Sequence, residues 1–424
     1  MNAVMGFFVS LVSLDKTVLV PIILFIFALI AKTKFSVAFK SALTFGAGLW
    51  ALITVNNVIV ETMTPVAAGL VNVTGSTNVA TDLGMSAMFV GVTSLPIFIF
   101  IYPIGVAVNL ILLKLKFTKT FIIDFLNFFT LLIPAIPVYF MTGNLPLVLL
   151  VVVLFEAVVL KCADWLYPEV YEYYGVEGVS ISHATGGAQA VIAKPLNWIL
   201  DHIPGINKID FSIGDLKNKF GVFGDPAVLG FLLGIVMSLV AGLGLSGALT
   251  VGMVMVGAML IYPKAIGLMM EGLQPISQAM RAFATKLFKT DDCYMGMDAA
   301  IFSGYPDTIA LTTLFFPIAI LLHFALPGCT VIPTGESLTL QYVVFGMLLP
   351  ICGSKEKKGN AFRVLVIATV LTILGLYIET WAAPLITQLC ANAGIVSEGM
   401  QVTSFGFRDW QCGLVYALVK LFVH

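Results

Sequence analysis

One stretch near the middle of the chain concentrates side chains that can bind or activate a hydroxylated solute. Residues 175–187 contain the carboxylate of Glu177, the imidazole of His183, three hydroxyl groups and four glycines. Both Glu177 and His183 can hydrogen-bond an alcohol, and either can accept a proton from a hydroxyl group. Irregular backbone persists at membrane depth only where protein or a water-filled cavity covers it. We therefore expect a re-entrant loop that lines a polar substrate site; the alternative is a solvated loop between two membrane-embedded halves.

Two further carboxylates begin long apolar segments that contain internal prolines. They are Asp82 and Asp298, and each can either bind hydroxyl groups of a solute or cap the start of a helix. Polar groups inside a membrane protein are costly unless paired or hydrated, so they are candidates for function. We take both aspartates as candidate site residues.

Three more polar residues interrupt apolar segments. Asp124 and Asn127 lie three residues apart, on one face of a helix, where they either bind solute or hydrogen-bond a neighbouring helix. Glu336 follows Pro333-Thr334-Gly335, a break before a short apolar segment where a discontinuous helix would expose backbone groups. These three residues complete the set of candidate substrate-binding side chains.

The composition is that of a polytopic membrane protein. Of 424 residues, 59% are hydrophobic and only 11% are charged, and the mean hydropathy is +1.02. A net charge of −1 without a basic tract argues against nucleic-acid binding. The six cysteines lack the short spacing of metal sites, and no nucleotide loop or catalytic triad is present, so we expect no metal and no cofactor. Residues 1–14 lack the features of a cleavable signal peptide.

The hydropathy pattern predicts an all-α protein with eleven membrane-spanning segments. The segment at 85–115 is longer than a bilayer core requires and contains Pro96 and Pro103, so we expect a tilted or broken helix there. Segment 121–141 is either a span or a hairpin. The eleven segments are residues 15–31, 36–60, 85–115, 121–141, 145–160, 227–241, 245–270, 299–326, 338–351, 361–378 and 405–422, and a polar loop is expected at 61–84.

An ordered series of residues recurs at a nearly constant offset, which indicates an internal repeat. The recurring pairs are Asp15 and Asp225, Ser36 and Ser246, Glu61 and Glu271, Pro65 and Pro275, Asp82 and Asp298, Asn144 and Asn360, Trp165 and Trp381, and Gly178 and Gly394. Each repeat contains five spans, and an odd number requires the second copy to enter the membrane inverted. We expect a first repeat at 1–190, a cytoplasmic connector at 191–225, an inverted second repeat at 226–403, and a C-terminal transmembrane helix at 404–424.

The basic residues predict the orientation of these repeats. With the N-terminus outside and the C-terminus in the cytoplasm, only Lys16 and Arg408 of the 22 basic residues fall outside. The basic loops follow the first and third spans in the first repeat and the seventh and ninth spans in the second repeat. Loops at equivalent positions of the two repeats therefore lie on opposite sides of the membrane, as inversion requires.

The chain resembles a known permease family in several short motifs. One is Gly221-Val222-Phe223-Gly224-Asp225-Pro226, and the others are residues 175–183, 202–209, 296–298, 327–328, 331–333, 358–363 and 391–394. Together they resemble the galactitol-type enzyme IIC of the bacterial phosphotransferase system, in the ascorbate–galactitol superfamily. The resemblance extends over nearly the whole chain.

This resemblance implies a homodimeric permease of the bacterial inner membrane, in which a mobile core domain carries a polyol such as galactitol past a fixed domain. A separate enzyme IIB, supplied through enzyme IIA, would phosphorylate the sugar from a phosphocysteine, so the permease has no phosphorylation site of its own. It supports Glu177, His183, Asp298 and Glu336 as site residues. Ser182, Tyr305 and Glu336 depart from the family pattern, and another hexitol or a pentitol stays open as substrate.

Two other classes of function are compatible with the residues. An ion-coupled secondary transporter of a small polar solute would use Asp82 or Asp298 as its proton or sodium site. A channel or a receptor that does not transport would give no concentrative uptake.

Overall fold

A computed structural model describes residues 14–74, 79–122, 125–213, 225–288, 293–297, 302, 305–333, 337–338, 340–353, 358–396 and 401–422. The described chain is mostly helical, in agreement with the predicted class. The helices are α1 (Lys16–Ile30), α2 (Phe35–Thr74), α3 (Gly84–Thr93), α4 (Phe98–Lys114), α5 (Phe125–Leu132), α6 (Ile136–Thr142), α7 (Leu145–Tyr174), α8 (Ala190–His202), α9 (Pro226–Val240), α10 (Gly244–Phe288), α11 (Pro306–Ala325), α12 (Gln341–Ile351), α13 (Ala361–Asn392) and α14 (Trp410–Phe422).

Membrane-crossing length and composition are clearest in three of these helices. Among the described residues, α7, α11 and α13 are long and apolar enough to span a bilayer, with mean hydropathies of 2.6, 2.0 and 2.2. Shorter apolar helices accompany them, including α9, α12 and α14. The chain is therefore suited to crossing a membrane several times.

Proline breaks the helices where the sequence predicts, although not at every proline. α3 ends at Thr93, the chain turns around Pro96, and α4 then passes Pro103 without interruption. Residues 121–141 do not form one continuous helix. A strand precedes α5, and a 3-10 turn at Ile133–Ala135, which contains Pro134, separates α5 from α6. The apolar runs 85–115 and 121–141 are thus discontinuous.

Two helices extend well beyond the predicted spans. α2 and α10 continue to Thr74 and Phe288, so the described part of the expected polar loop at 61–84 begins as helix. The reason is packing, because α2 lies closely against α10 along its length. A Cβ atom on Gly48 of α2 would lie 2.6 Å from the backbone nitrogen of Met269 in α10. Contact of this kind stabilises helix in a segment of mixed polarity, such as residues 61–74.

Six short parallel strands, which the sequence analysis did not predict, form two sheets. They are β1 (Ala80–Asp82), β2 (Thr120–Ile122), β3 (Val179–Ile181), β4 (Tyr294–Met297), β5 (Val331–Ile332) and β6 (Gln401–Thr403). One sheet has the order β5-β1-β6 and the other β2-β4-β3. Strands this short contain too few residues for a period-two pattern. They satisfy backbone groups at the places where helices are interrupted.

The helices separate into two groups by their packing. α1, α2, α9 and α10 pack mainly against one another. The second group comprises α3 to α8 and α11 to α14, and it includes the helices that pack most closely on strands, α7 on β3 and α13 on β6. Within this second group, side chains of α3 to α7, α13 and α14 form one apolar cluster, whose members include Phe128, Val159, Ala188 and Ile386.

Candidate functional site

Two loops that each follow a strand meet inside the second group of helices. Loop 182–189 joins β3 to α8, and loop 404–409 joins β6 to α14. All residues from 178 to 190 are buried, including Ser182, His183 and Gln189. Residues 178–190 are therefore not a solvated connection, whereas Gly175 and Glu177 at the start of the predicted stretch are exposed.

Three side-chain hydrogen bonds join loop 182–189 to the start of α14. The side-chain amide of Gln189 donates to the carboxylate of Asp409. The indole Nε1 of Trp410 donates to the carbonyl oxygen of Ala188 over 3.0 Å, and Nε2 of Gln411 donates to the carbonyl oxygen of Ala184 over 2.9 Å. Two of these bonds are accepted by backbone carbonyl oxygens of the loop and the third by the Asp409 carboxylate, so together they hold the buried loop against the start of α14.

A buried ionic cluster lies at the other side of loop 404–409. The Nε of Arg408 is 2.5 Å from Oε1 of Glu379, and its Nη2 is 3.4 Å from Oδ2 of Asp82. Both carboxylates have no exposed surface and Arg408 is 6% exposed. The guanidinium also lies 4.5 Å from the centre of the Phe405 ring. The cluster therefore joins β1, α13 and loop 404–409 through charges withdrawn from solvent.

Asp82 is held by the backbone as well as by Arg408. Its Oδ1 accepts from the amide nitrogen of Gly84 at 2.9 Å, at the start of α3, and from that of Phe405 at 2.8 Å. A carboxylate at a helix start satisfies amides that have no intrahelical partner. The Asp82 carboxylate is therefore engaged by two backbone amides and by Arg408.

Several buried neutral polar atoms in the second group of helices and its two loops have no hydrogen-bond partner among the described residues. They are Oδ1 and Nδ2 of Asn127, Oγ of Ser182 and Oε1 of Gln411. All three residues are 1% exposed. Buried polar atoms in proteins are nearly always hydrogen-bonded, so unpaired ones mark positions that a ligand or water completes. Both donors and acceptors are present, which is the complement that a polyol requires.

The predicted site residues lie in different environments. His183 and Asn127 are buried in the second group of helices, and Asp82 belongs to the ionic cluster. Glu177 is exposed in the turn before β3, so it does not share the buried environment of His183. Three of the predicted residues lie outside the described part of the chain: Asp124, Asp298 and Glu336.

The predicted site residues do not include several charges that are buried, among them Glu156, Glu379 and Arg408. Each interrupts an apolar segment of a chain with only 11% charged residues. Arg408 had been assigned to the outside with Lys16 as an exception to the charge bias. Because Arg408 is buried and paired with Glu379, it does not report which side of the membrane its loop occupies.

Comparisons with a family model and with individual proteins identify the same family. The EIIC-GAT model, described as the PTS system sugar-specific permease component, matches residues 10–399. A galactitol-specific EIIC component of the PTS from Escherichia coli K12 is 28% identical over 394 residues, covering 93% of this chain and 86% of the relative. A putative permease IIC component from the same strain is 30% identical over 390 residues, covering 92% and 88%.

These matches agree with the resemblance read from the motifs and with the several apolar helices of the structure. Because the family model covers nearly the whole chain, the protein belongs to the EIIC-GAT family of sugar-specific permease components of the phosphotransferase system, which are multi-pass proteins of the inner membrane.

Proposed function

We propose that the protein binds a sugar alcohol, with galactitol as the first candidate, between loop 182–189 and α5 and delivers it to the cytoplasm for phosphorylation. The observation that carries this proposal is the set of unpartnered neutral groups on Asn127, Ser182 and Gln411. A polyol is neutral and offers a donor and acceptor at each carbon, so it can satisfy all three. The name of the galactitol-specific relative supports the same substrate class.

We assign His183 and Asn127 as the described binding residues, with Asp298, Glu336 and Asp124 as further candidates. His183 lies in loop 182–189 and orients the attacking hydroxyl or accepts its proton. Asp82 supports loop 404–409 rather than contacting sugar, because its oxygens are already used by Arg408 and two backbone amides. Glu177, being exposed, is the weakest of the predicted site residues.

Translocation in this proposal is an elevator-type movement. The fixed body is α1, α2, α9 and α10, and the moving body is the second group of helices with both sheets and the substrate. The support is that the four helices pack mainly on one another. The moving body, in contrast, is tied together internally by the Arg408 cluster and by the bonds between its two loops.

We propose that the two halves of the chain are inverted repeats. Asn144 and Asn360 each cap a long helix by accepting from the backbone amide three residues later, Leu147 and Arg363, in both cases at 3.1 Å. The sheets also match: in each, two outer strands from one half flank a central strand from the other. α8 follows loop 182–189 as α14 follows loop 404–409, so we extend the first repeat to residue 202 and shorten the connector to 203–225.

The remaining parts of the proposal concern orientation and partners. The charge bias supports an N-terminus outside and a C-terminus in the cytoplasm. Enzyme IIB would receive the sugar at the cytoplasmic face and transfer phosphate from its phosphocysteine, after supply from enzyme IIA. Two copies of the chain would form a homodimer through the fixed bodies.

Uptake by right-side-out membrane vesicles or proteoliposomes, loaded with phosphoenolpyruvate and the phosphate carriers, tests this function. We expect phosphorylated galactitol to accumulate only when phosphoenolpyruvate and the phosphate carriers, including enzyme IIB, are present. Uptake of unmodified sugar that continues without them and collapses with an uncoupler would instead establish an ion-coupled transporter. Binding of a polyol panel to the purified protein identifies the substrate. His183→Ala and Asn127→Ala should weaken that binding, while Lys161→Gln, on the surface of α7, should not.

A further inference from the structure

Glu156 is a buried carboxyl group that is neither a predicted site residue nor part of the proposed site. It lies in the middle of α7 and has no exposed surface. Neither of its oxygens has a hydrogen-bond partner among the described residues. The other carboxylate buried inside a long spanning helix, Glu379 of α13, is paired with Arg408 at 2.5 Å. Of these two membrane-embedded acids, only Glu156 therefore lacks a counter-charge in the described structure.

The helix that carries Glu156, α7, packs against residues 187–189 of loop 182–189. Val152, Val159 and Leu160, one turn away on α7, belong to the same apolar cluster as Ala184 and Ala188 of that loop. The preceding residue, Phe155, has its ring 6.2 Å from the ring of Trp410.

Two further contacts connect this region to the candidate site. Trp410 donates from its indole nitrogen to the carbonyl oxygen of Ala188. Phe128, the neighbour of Asn127 on α5, belongs to the same apolar cluster as Val159. Glu156 thus lies in the same group of packed helices as the unpartnered groups of the candidate site.

The two halves of the chain differ at this position. When α7 and α13 are aligned on their capping asparagines, Asn144 and Asn360, Glu156 falls at the position of Thr372. Thr372 is also buried, at 2% exposure, but a hydroxyl group can donate to a carbonyl of its own helix without a counter-charge. A carboxyl group placed in only one half suggests a task that the second half does not share.

An ionised carboxylate without a partner in an apolar environment is very costly, and a carboxyl group in that position becomes neutral by keeping its proton. The neutral acid has one O–H donor and an acceptor oxygen. Adjacent hydroxyl groups of a polyol supply the matching acceptor and donor. We propose that Glu156 is a substrate-binding residue that carries its proton in the sugar-free protein and forms a two-point hydrogen bond with neighbouring hydroxyls of the sugar alcohol. This inference rests on the proposed function, since it requires a polyol at the site.

Galactitol binding to the purified full-length protein, measured by titration calorimetry, tests the inference. Two net hydrogen bonds correspond to roughly a 10- to 100-fold change in affinity, so we expect Glu156→Leu to weaken galactitol binding by about that factor. Glu156→Gln keeps a neutral donor and acceptor and should stay within about 10-fold of the unsubstituted protein. Glu172→Gln, exposed on the same helix, is the control and should bind normally.

Carbodiimide labelling provides a second readout that does not depend on a variant. A hydrophobic carbodiimide reacts with protonated carboxyl groups in apolar surroundings, and mass spectrometry locates the adduct. Saturating galactitol should protect Glu156 and leave the labelling of other sites unchanged.

The possible results separate the two proposals. Wild-type affinity in Glu156→Leu, or equal labelling with and without bound galactitol, would overturn the role of Glu156 while the transport function stands. If the unsubstituted protein binds neither galactitol nor any other polyol of the panel, the proposed function itself fails, and this role fails with it. Glu156→Leu should not melt below the unsubstituted protein, because it replaces an unpartnered carboxyl by an apolar side chain in an apolar cluster.

Discussion

Substitution of Arg408 by methionine is the sharpest test of the buried ionic cluster. The change removes the only described cation near Glu379 and Asp82, both of which have no exposed surface. Asp82 keeps its hydrogen bonds from Gly84 and Phe405. Glu379 keeps no described side-chain partner, because its Oε2 has none even in the intact cluster. Most of the loss of folding stability should therefore come from the unpaired carboxylate of Glu379.

Breaking a buried ion pair by removing one partner costs about 3–5 kcal/mol, because the remaining charge stays buried. For 424 residues the entropy of unfolding is roughly 0.9 kcal/mol/K, from about 2.1 cal/mol/K per residue. Arg408→Met should then lower the midpoint of thermal unfolding by about 3–6 °C. Lys161→Met, which removes an exposed partner 3.9 Å from Asp164, should cost under about 1 kcal/mol.

A thiol-reactive dye is a suitable probe, because all six cysteines are buried and become reactive on unfolding. The decisive comparison adds Glu379→Gln. Alone, this change leaves Asp82 as the one described carboxylate paired with the guanidinium and should be destabilising. In the Arg408→Met background it removes the unpaired carboxylate and should restore about 2 kcal/mol. An unchanged midpoint for Arg408→Met, or the same effect of Glu379→Gln in both backgrounds, would refute the argument that these charges stabilise each other.

Two further predictions concern packing and capping. Gly272 of α10 lies so close to the backbone of Ser41 and Phe45 that an added Cβ atom would overlap that backbone, so Gly272→Ala should cost about 1–3 kcal/mol of stability. The control is Gly267→Ala, on the same helix with open space around it, which should be neutral or slightly stabilising. Thermal melting of the two variants compares these effects. Asn360→Ala should lower stability by about 1 kcal/mol through loss of the helix cap, and a loss no larger than that of an exposed substitution would show that the cap is not needed.

Most of the helical organisation could be predicted from hydropathy and proline. The break at Pro96 and the interruption at Pro134 are local consequences of a residue that lacks an N–H and clashes with the preceding turn. The lengths of α2 and α10 could not be predicted in this way, because they depend on close contact between two helices that are far apart in sequence. Gly48 and Gly272 make that contact, but a glycine in an apolar run gives no sign of its partner.

The candidate site was only partly accessible to sequence reasoning for a similar reason. His183 and Asn127 are polar residues in or beside apolar segments, and that alone made them candidates. Asp82 satisfied the same criterion, yet its place beside Arg408 depends on a contact between residues from the two ends of the chain. Polarity in an apolar segment identifies a buried group, whereas the identity of its partner decides whether that group binds substrate or supports the fold.

The exchange of strands between the two sheets has a consequence for the order in which the protein can fold. β1 is the central strand of one sheet, and both of its neighbours, β5 and β6, come from the C-terminal half of the chain. β2 and β3 in turn need β4 between them. When the first half leaves the ribosome, its three strands therefore stay unpaired until the second half has been synthesised. Assembly of both sheets is a late event that couples the halves, and neither half expressed alone can complete either sheet.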